Sequence, residues 1–321
     1  MPTKIACVGN GWVAGRHLAV LAKLDDVAIV GVAGRSVERA TALAETYGAA
    51  AFDDAERMLD ITRPDALLIC TIPGAHGAIE AAAIERGIPF LVEKPLAIDW
   101  DTAATIAAAV ERSGLVTAVG YHWRYHETVD RAREFLQNRH VALVQGFWLD
   151  GTPPPAWWSR QNESGGQMVE QATHLFDLAR LLVGEAREVH GLGAAVPRPE
   201  RRGDVDEASA ALVRFASGAI GTFAATSLLS GGYRVGLHLI GAGFVVEVGE
   251  RTLVIDTGRE RSEFRGVADP FVAEDSDFLA AVRGGDPRLV RSSYADALRT
   301  HRLTTSISAA TRSGQPVAID V

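Results

Sequence analysis

Residues 3–17 read TKIACVGNGWVAGRH, and the rest of the chain is organised around this stretch. The apolar run from Ile5 to Val8 predicts a short buried strand, and the residues after it predict a turn that leads into a helix. Gly9 permits a tight turn that a side chain would strain, and Gly11 lets the backbone approach a pyrophosphate. Ala14 is small enough for the helix to lie close to the strand. This order is typical of dinucleotide binding, and an ordinary tight βα turn is the alternative.

The start of the predicted helix offers free N–H groups at its positive end, which suits phosphate groups. The residues of this turn that we expect to bind the dinucleotide are Gly9, Asn10, Gly11, Trp12 and Val13.

The length of 321 residues favours two domains, and the composition, 47% hydrophobic and 22% charged, is typical of a globular protein. A net charge of -8 argues against nucleic acid or an anionic membrane as a general partner. We find no signal peptide and no apolar run long enough to cross a membrane, so we expect a cytoplasmic protein. Cys7 and Cys70 lie in predicted apolar strands without a metal-ligand spacing, which predicts core residues and neither a disulfide nor a zinc site.

The second strand, Val27 to Ala33, is followed by a helical pattern from Ser36 to Tyr47. Folds that prefer NAD place an acidic residue after this strand, where it binds the ribose 2′-OH. This chain has Gly34, Arg35 and Ser36 there instead. Arg35 could pair with a 2′-phosphate, with Ser36 as a second donor, so the sequence favours NADP, with NAD possible. A solvated loop arginine is the alternative.

Two further apolar runs, Ala66 to Thr71 and Ile88 to Val92, predict parallel strands. Ligands of such sheets bind outside the carboxyl ends of the strands. Proline after a lysine also holds that lysine in extended geometry. The residues expected to reach the cofactor from these strand ends are Thr71, Pro73, His76, Glu93 and Lys94.

The pattern changes in the second half of the chain. From Arg187 to Val267, short apolar runs separated by glycine turns predict a mostly antiparallel sheet built of successive hairpins. One boundary near Tyr121 gives a dinucleotide-binding domain at 1–121 and a substrate-binding and oligomerisation domain at 122–321.

Residues 164–177 read SGGQMVEQATHLFD and predict one helix that begins near Gly166. Glu170 and His174 are four residues apart and would share a face of it. The carboxylate could orient the imidazole for proton transfer near neutral pH. An ion pair on the helix surface fits the spacing equally well. No third ligand stands at a recognisable spacing, so no metal site is predicted.

Four motifs together resemble the Gfo/Idh/MocA oxidoreductases, such as glucose-fructose oxidoreductase and inositol dehydrogenase, over essentially the whole chain. They are Gly9–Ala14, Pro73–His76, Glu93–Pro95 and Gly165–His174. The resemblance implies an α/β fold, with an N-terminal Rossmann domain and a C-terminal α+β domain that has a large open, mostly antiparallel sheet. It also implies a nicotinamide cofactor and a homodimer or homotetramer formed through that sheet.

The same resemblance implies roles for single residues. Lys94 matches the lysine that binds the reacting hydroxyl or carbonyl, and His174 matches the catalytic acid/base. Glu170 stands where many members have Asp, which leaves open whether it binds substrate or only positions His174. Arg124 resembles a family arginine near cofactor and substrate, and a structural arginine between domains is the alternative.

Trp157 and Trp158 follow a proline-rich turn and could stack on a sugar face, although anchoring a loop in the core is slightly favoured. The sequence therefore predicts an NADP-preferring enzyme that interconverts a secondary alcohol and a ketone on a sugar, cyclitol or sugar derivative. The alternatives are a reductase of another cyclic carbonyl compound and a non-catalytic regulator that senses dinucleotides. The presence of both Lys94 and His174 argues against the regulator.

Overall fold

The computed structural model describes residues 1–197 and 203–320, which divide into two compact units. The first unit comprises Met1–Ala97, Asp101–His122 and Asp269–Leu298, and the second comprises the other described residues. The single boundary predicted near Tyr121 therefore omits Asp269–Leu298. This segment joins the first unit because its Phe278 and Leu279 share a buried apolar cluster with residues such as Ile5.

The first unit contains a parallel sheet of six strands in the part of the chain that the structure describes. The strands are β1 (Thr3–Val8), β2 (Val27–Ala33), β3 (Ala50–Phe52), β4 (Ala66–Ile69), β5 (Phe90–Val92) and β6 (Thr117–Val119). Their order, β3-β2-β1-β4-β5-β6, is that of a Rossmann fold and confirms the prediction for this half. β3 was not predicted, because its three residues are partly exposed and form no distinct apolar run.

Helices follow most strands of this sheet. They are α1 (Trp12–Leu21), α2 (Val37–Glu45), α3 (Ala55–Thr62), α4 (Ala78–Glu85), α5 (Trp100–Ser113) and the later α10 (Pro270–Val282). β1 lies between β2 and β4 and is fully buried in its second half. The carboxyl ends of β1, β4 and β5 share one edge of the sheet, so the segments after these strands lie side by side.

The second unit contains a mixed, mostly antiparallel sheet, with nine strands among the described residues. They are β7 (Val141–Gly151), β8 (Ala186–Ala194), β9 (Ala208–Phe215), β10 (Ile220–Leu229), β11 (Arg234–Gly241), β12 (Phe244–Gly249), β13 (Thr252–Asp256), β14 (Arg261–Arg265) and β15 (Val317–Ala318). Their order is β14-β13-β12-β11-β7-β10-β9-β8-β15.

The prediction of successive hairpins was wrong at one place, because β7 lies between β10 and β11. β7 runs parallel to β10 and antiparallel to β11. Gly146 permits this insertion, since a Cβ there would lie 2.2 Å from the ring of Phe223 on β10. The absence of a side chain on β7 therefore makes room for an aromatic ring of the neighbouring strand.

One face of this sheet packs against helices in a single apolar cluster. The helices of the second half are α6 (Glu127–Leu136), α7 (Gln161–Ser164), α8 (Gln167–Glu170), α9 (Thr173–Val183) and α11 (Tyr294–Ser313). Phe176 of α9 and Ile307 of α11 are completely buried in this cluster. Among the described residues, no helix has the length and apolar character needed to cross a membrane.

Candidate active site

The glycine turn after β1 has the features that phosphate binding requires. Gly9 has a φ of 123°, and a Cβ at this position would lie 2.2 Å from the carbonyl oxygen of Cys70. Gly11 caps α1 without a side-chain bond, and a Cβ there would meet nothing within 4 Å. The first turn of α1 carries no acidic residue, and Trp12 is exposed. The positive end of α1 is therefore open to an anion.

The segment after β4 contributes the next predicted cofactor residues. Pro73 is buried in a short 3₁₀ helix, and the Oγ1 of Thr71 has no hydrogen-bond partner in the described structure. His76 is buried, and its Nδ1 lies 2.6 Å from Glu80 Oε1. Its Nε2 has no partner among the described residues. Two polar atoms of this segment are thus buried without a hydrogen-bond partner in the described structure.

The segment after β5 carries Glu93 and Lys94. The buried Glu93 carboxylate lies 3.2 Å from Nε2 of His17 and accepts the backbone N–H of Lys94 at 3.1 Å. Burial alone would raise the pKa of Glu93, but the bond to His17 and its charge hold that pKa below the usual value. Lys94 precedes a cis peptide bond to Pro95. The lysine therefore lies at the same sheet edge as the glycine turn, and its backbone is held by its own neighbour.

The segment after β2 places the residues that would choose between NAD and NADP. Arg35 is exposed. Ser36 caps α2 by accepting the N–H of Arg39, and its hydroxyl donates to Glu38 at 2.7 Å. The expected second donor to a 2′-phosphate is thus already bonded to a carboxylate. Any phosphate selection here depends on Arg35.

The helix predicted to begin near Gly166 is broken into α8 and α9. The N–H of Ala172 bonds to the carbonyl of Gln167, five residues back, and this wide turn ends α8. α9 then begins at Thr173. Glu170 ends one helix and His174 lies in the first turn of the next, so the predicted spacing along one continuous face does not apply.

Aromatic rings surround both residues of this predicted pair. The ring centroid of buried His174 lies 5.8 Å from that of Trp123 and 6.1 Å from that of Trp148, with nearly parallel planes. Glu170 Oε2 accepts the indole N–H of Trp158 at 2.8 Å. Trp158 is 1% exposed, which agrees with the anchoring alternative, while Trp157 is half-buried. The structure thus fixes Glu170 through Trp158 and places His174 in an aromatic environment.

Arg124 forms a buried bidentate ion pair with Asp177 of α9. Its Nε and Nη2 donate to the two carboxylate oxygens at 2.6 and 2.5 Å. Thr300 also donates to Asp177, and Arg180 donates to Thr300. Asp177 lies one turn after His174, and Arg124 follows Trp123 directly. The pair lies within the second unit, where it ties the ring of Trp123 to the helix that carries His174.

Comparison with known proteins gives the family. Residues 3–121 match the oxidoreductase family with an NAD-binding Rossmann fold, and residues 137–245 match the GFO/IDH/MocA C-terminal domain. The myo-inositol dehydrogenase Hyg17 of Streptomyces leeuwenhoekii is 30% identical over 266 residues, which cover 79% of this chain and 81% of that protein. This chain belongs to the Gfo/Idh/MocA oxidoreductase family.

Other members of the Gfo/Idh/MocA family resemble the chain over most of its length. The myo-inositol 2-dehydrogenase of Thermotoga maritima is 25% identical over 304 residues, 89% of this chain and 90% of that protein. A levoglucosan dehydrogenase solved in complex with NADH superposes with a TM-score of 0.88, covers 100% of both chains and is 21% identical. The structural likeness supports the fold described above.

Sequence reasoning missed several residues around these Gfo/Idh/MocA motifs. His17 and Asp275 were not recognised, although His17 lies only two turns into the dinucleotide helix. Asp275 had no signal, because its segment was assigned to the other domain. Atoms of His17, Glu274 and Asp275 that could bind a metal lie within 4.8 Å of one another. Both ring nitrogens of His17 face carboxylate oxygens, an arrangement that suits a protonated imidazole.

Proposed function

We propose that this oxidoreductase uses a nicotinamide dinucleotide to interconvert a secondary alcohol and a ketone on a sugar, cyclitol or sugar derivative. The observation that carries the proposal is Lys94 at the sheet edge that also holds the glycine turn and the open start of α1. The named activities of the relatives, inositol dehydrogenases among them, support the substrate class. Trp148, which is only partly buried and stacks beside His174, also suits the C–H face of a sugar ring.

The protein's part in the reaction is binding, orientation and proton transfer. The nicotinamide ring, when bound, accepts or returns the hydride. The Lys94 ammonium donates a hydrogen bond to the reacting oxygen and stabilises the negative charge that develops on it. His174 accepts the hydroxyl proton during oxidation and returns it during reduction. Glu170, held by Trp158, keeps its carboxylate in place to position His174.

Substitution of Lys94 tests this function. We expect Lys94→Ala to lower turnover roughly a hundredfold, because one preorganised electrostatic contact to the reacting oxygen is lost, while dinucleotide binding stays near wild type. His174→Asn should give a comparable fall, and Glu170→Gln a smaller one. Nicotinamide absorbance with a panel of sugars and inositols measures turnover, and exposed Lys23→Ala is the control.

Two outcomes would contradict this assignment. Unchanged turnover in Lys94→Ala would remove this lysine from the mechanism. Cofactor binding without turnover by the wild-type protein on the whole panel would instead support a dinucleotide-sensing regulator.

The cofactor preference is the finer part of the proposal, and it favours NADP. No acidic residue directly follows β2, and exposed Arg35 can make charge-assisted bonds to a 2′-phosphate. Such a pair contributes about 1.5 to 3 kcal/mol, roughly a ten- to hundredfold preference. Arg35→Ala should remove most of it, with Arg39→Ala as the control. A Cβ at Gly34 would lie 2.4 Å from the Asn10 side chain, so Arg35 is the cleaner position to vary.

Fluorescence titration with both nicotinamide dinucleotides measures this preference. Equal or tighter binding of NAD by the wild-type protein would make Arg35 a solvated loop residue, and the dehydrogenase proposal would remain.

The sheet of the second unit is the proposed oligomer interface. Its face opposite the helices exposes Leu192, Leu212 and Ile220, at 72%, 57% and 51%. A groove of about 420 Å³ on this face is lined by Phe147, Leu192 and Leu212, among others. An exposed apolar patch of this kind marks an interaction surface. A second copy of the chain is the proposed occupant, which gives a homodimer or, with a further contact, a homotetramer.

A cytoplasmic location is also part of the proposal. Cys7 and Cys70 are free and buried, a state that fits a reducing compartment. Cell fractionation of the source organism with antibody detection would test it, and recovery in an extracellular fraction would contradict it.

A further inference from the structure

A buried histidine connects the dinucleotide helix to the segment that carries Lys94. His17 lies on α1, two turns after the glycine turn, and its side chain is completely buried. Its Nδ1 lies 2.7 Å from Asp275 Oδ1 on α10, and its Nε2 lies 3.2 Å from Glu93 Oε1 after β5. One imidazole thus bridges three elements of the first unit that are distant in sequence.

The partners of His17 determine its protonation state. An ionised carboxylate accepts hydrogen bonds and donates none, so each ring nitrogen must carry a proton to bond both neighbours. The Glu274 carboxylate lies in the same cluster and adds a third acidic group. Burial opposes the charged imidazole, but Asp275 and Glu93 raise the pKa of His17 well above its usual value. Burial also raises the pKa of Asp275, but the charge of His17 and its hydrogen bond oppose that rise. The geometry and the local charge together therefore support an imidazolium.

Other aromatic, charged and titratable groups lie around His17, Glu93 and Asp275. The edge of the Phe271 ring packs on His17 with centroids 5.1 Å apart. Arg16 is paired with Asp269 at 2.7 Å. Lys94 and His122 act on Glu93 electrostatically, and the buried thiol of Cys70 interacts electrostatically with Glu93 and Asp275.

The Glu93 carboxylate connects His17 to the backbone of Lys94. One of its oxygens faces His17, and the other accepts the backbone N–H of Lys94. A Cβ at Gly120 on the next segment would lie 2.6 Å from the Glu93 carboxylate. Glu93 thus lies in a closely fitting space, and a shift of its carboxylate would break at least one of these two bonds.

We propose that His17, as an imidazolium, is a positioning residue that fixes Glu93 and, through it, the backbone of Lys94. The proposal rests on the role of Lys94 in the proposed function. Misplacement of a reacting group by about 1 Å costs up to a hundredfold in rate. Loss of the His17 proton should therefore lower turnover without removing any group that touches the substrate.

Variants of the network test this role by separating kcat from binding. His17→Gln and Glu93→Gln should each lower kcat roughly ten- to a hundredfold while the Kd for NADPH, measured by fluorescence, stays within about threefold. The kcat of the double variant should be no lower than that of the less active single variant, because both substitutions break the same chain of contacts. His238→Gln is the control, since that histidine lies 3.5 Å from Glu247 in the other unit.

The pH dependence of unfolding gives a readout independent of activity. A raised pKa in the folded state means that the stabilising contribution of His17 is fully present below pH about 6.5 and is lost as pH rises through the folded pKa. The difference in unfolding free energy between wild type and His17→Gln should therefore shrink at high pH. If His17→Gln does not fold, Glu93→Gln and the wild-type unfolding profile carry the test.

Specific results would overturn the proposal. Variants with lower stability and wild-type kcat would make the network purely structural. If the wild-type protein contains one bound metal ion, and its removal by a chelator abolishes activity, the charge at His17 would come from a metal cation and not from a proton. Absence of turnover by the wild-type protein on the whole panel would refute the proposed function, and wild-type turnover in Lys94→Ala would remove the basis of this inference. An inactive Lys94→Ala beside a fully active His17→Gln would refute this inference alone.

Discussion

At the scale of single residues, the tertiary environment distinguishes side chains that the sequence presents as equals. Trp157 and Trp158 are adjacent, yet only Trp158 is fully buried, with its indole N–H bonded to Glu170. Glu170 itself is bonded to this anchor. The residues around His174 thus have separate roles. Trp123 and Trp148 pack beside the imidazole, and the histidine is proposed to transfer the proton.

Arg124 supports a residue-scale prediction about stability. Arg124→Ala should destabilise the protein by about 3 to 5 kcal/mol, because the Asp177 carboxylate would stay buried without its bidentate partner. Arg124→Lys should not restore stability, since an ammonium cannot make both bonds in the same geometry. Urea unfolding monitored by tryptophan fluorescence measures the change.

The matched control is Arg288→Ala, which removes a surface ion pair with Asp286. It should leave the unfolding midpoint unchanged. Similar behaviour of the two alanine variants would show that the Arg124 pair contributes no more than a surface pair does.

At the scale of elements, the glycine turn combines two different requirements in three residues. Gly9 needs its glycine for backbone reasons, because it has a φ of 123° and no room for a Cβ. Gly11 lies in an extended conformation with a φ of -88° and open space around it. Its glycine is needed only if a ligand approaches the backbone closely.

Alanine substitutions separate these two requirements. Gly9→Ala should lower the free energy of unfolding by more than 1 kcal/mol, about the range for a strained φ, and weaken cofactor binding as a consequence. Gly11→Ala should leave stability near wild type but weaken dinucleotide binding, since the added methyl group would face the pyrophosphate. Thermal unfolding and fluorescence titration measure the two effects. A stable Gly11→Ala with unchanged binding would contradict the assignment of this turn to the cofactor.

At the scale of the whole molecule, the exposed sheet face predicts assembly. Leu212→Lys would place a charge at the centre of the proposed interface, where desolvation of an unpaired charge is costly. We expect it to reduce the oligomer to a smaller species in light scattering after size exclusion. Leu289→Lys, on an exposed leucine of the first unit, is the control and should leave the mass unchanged. An oligomer that Leu212→Lys leaves intact would place the interface elsewhere.

The sequence by itself determined the Rossmann half, the mostly antiparallel sheet and the family. These features depend on local patterns: β-branched runs, the turn at Gly9 and Gly11, and a lysine directly after a strand. Each pattern acts within a few residues, so it can be recognised without knowing what packs against it.

Only the tertiary structure decided the features that depend on partners distant in the sequence. The insertion of β7 beside β10 requires Phe223 to lie over Gly146, and the break before Thr173 depends on where a wide turn closes. Asp275 reaches His17 across 258 positions of the chain. Local propensity carries no information about such pairings, because their free energy comes from burial and charge compensation that exist only once the chain has folded.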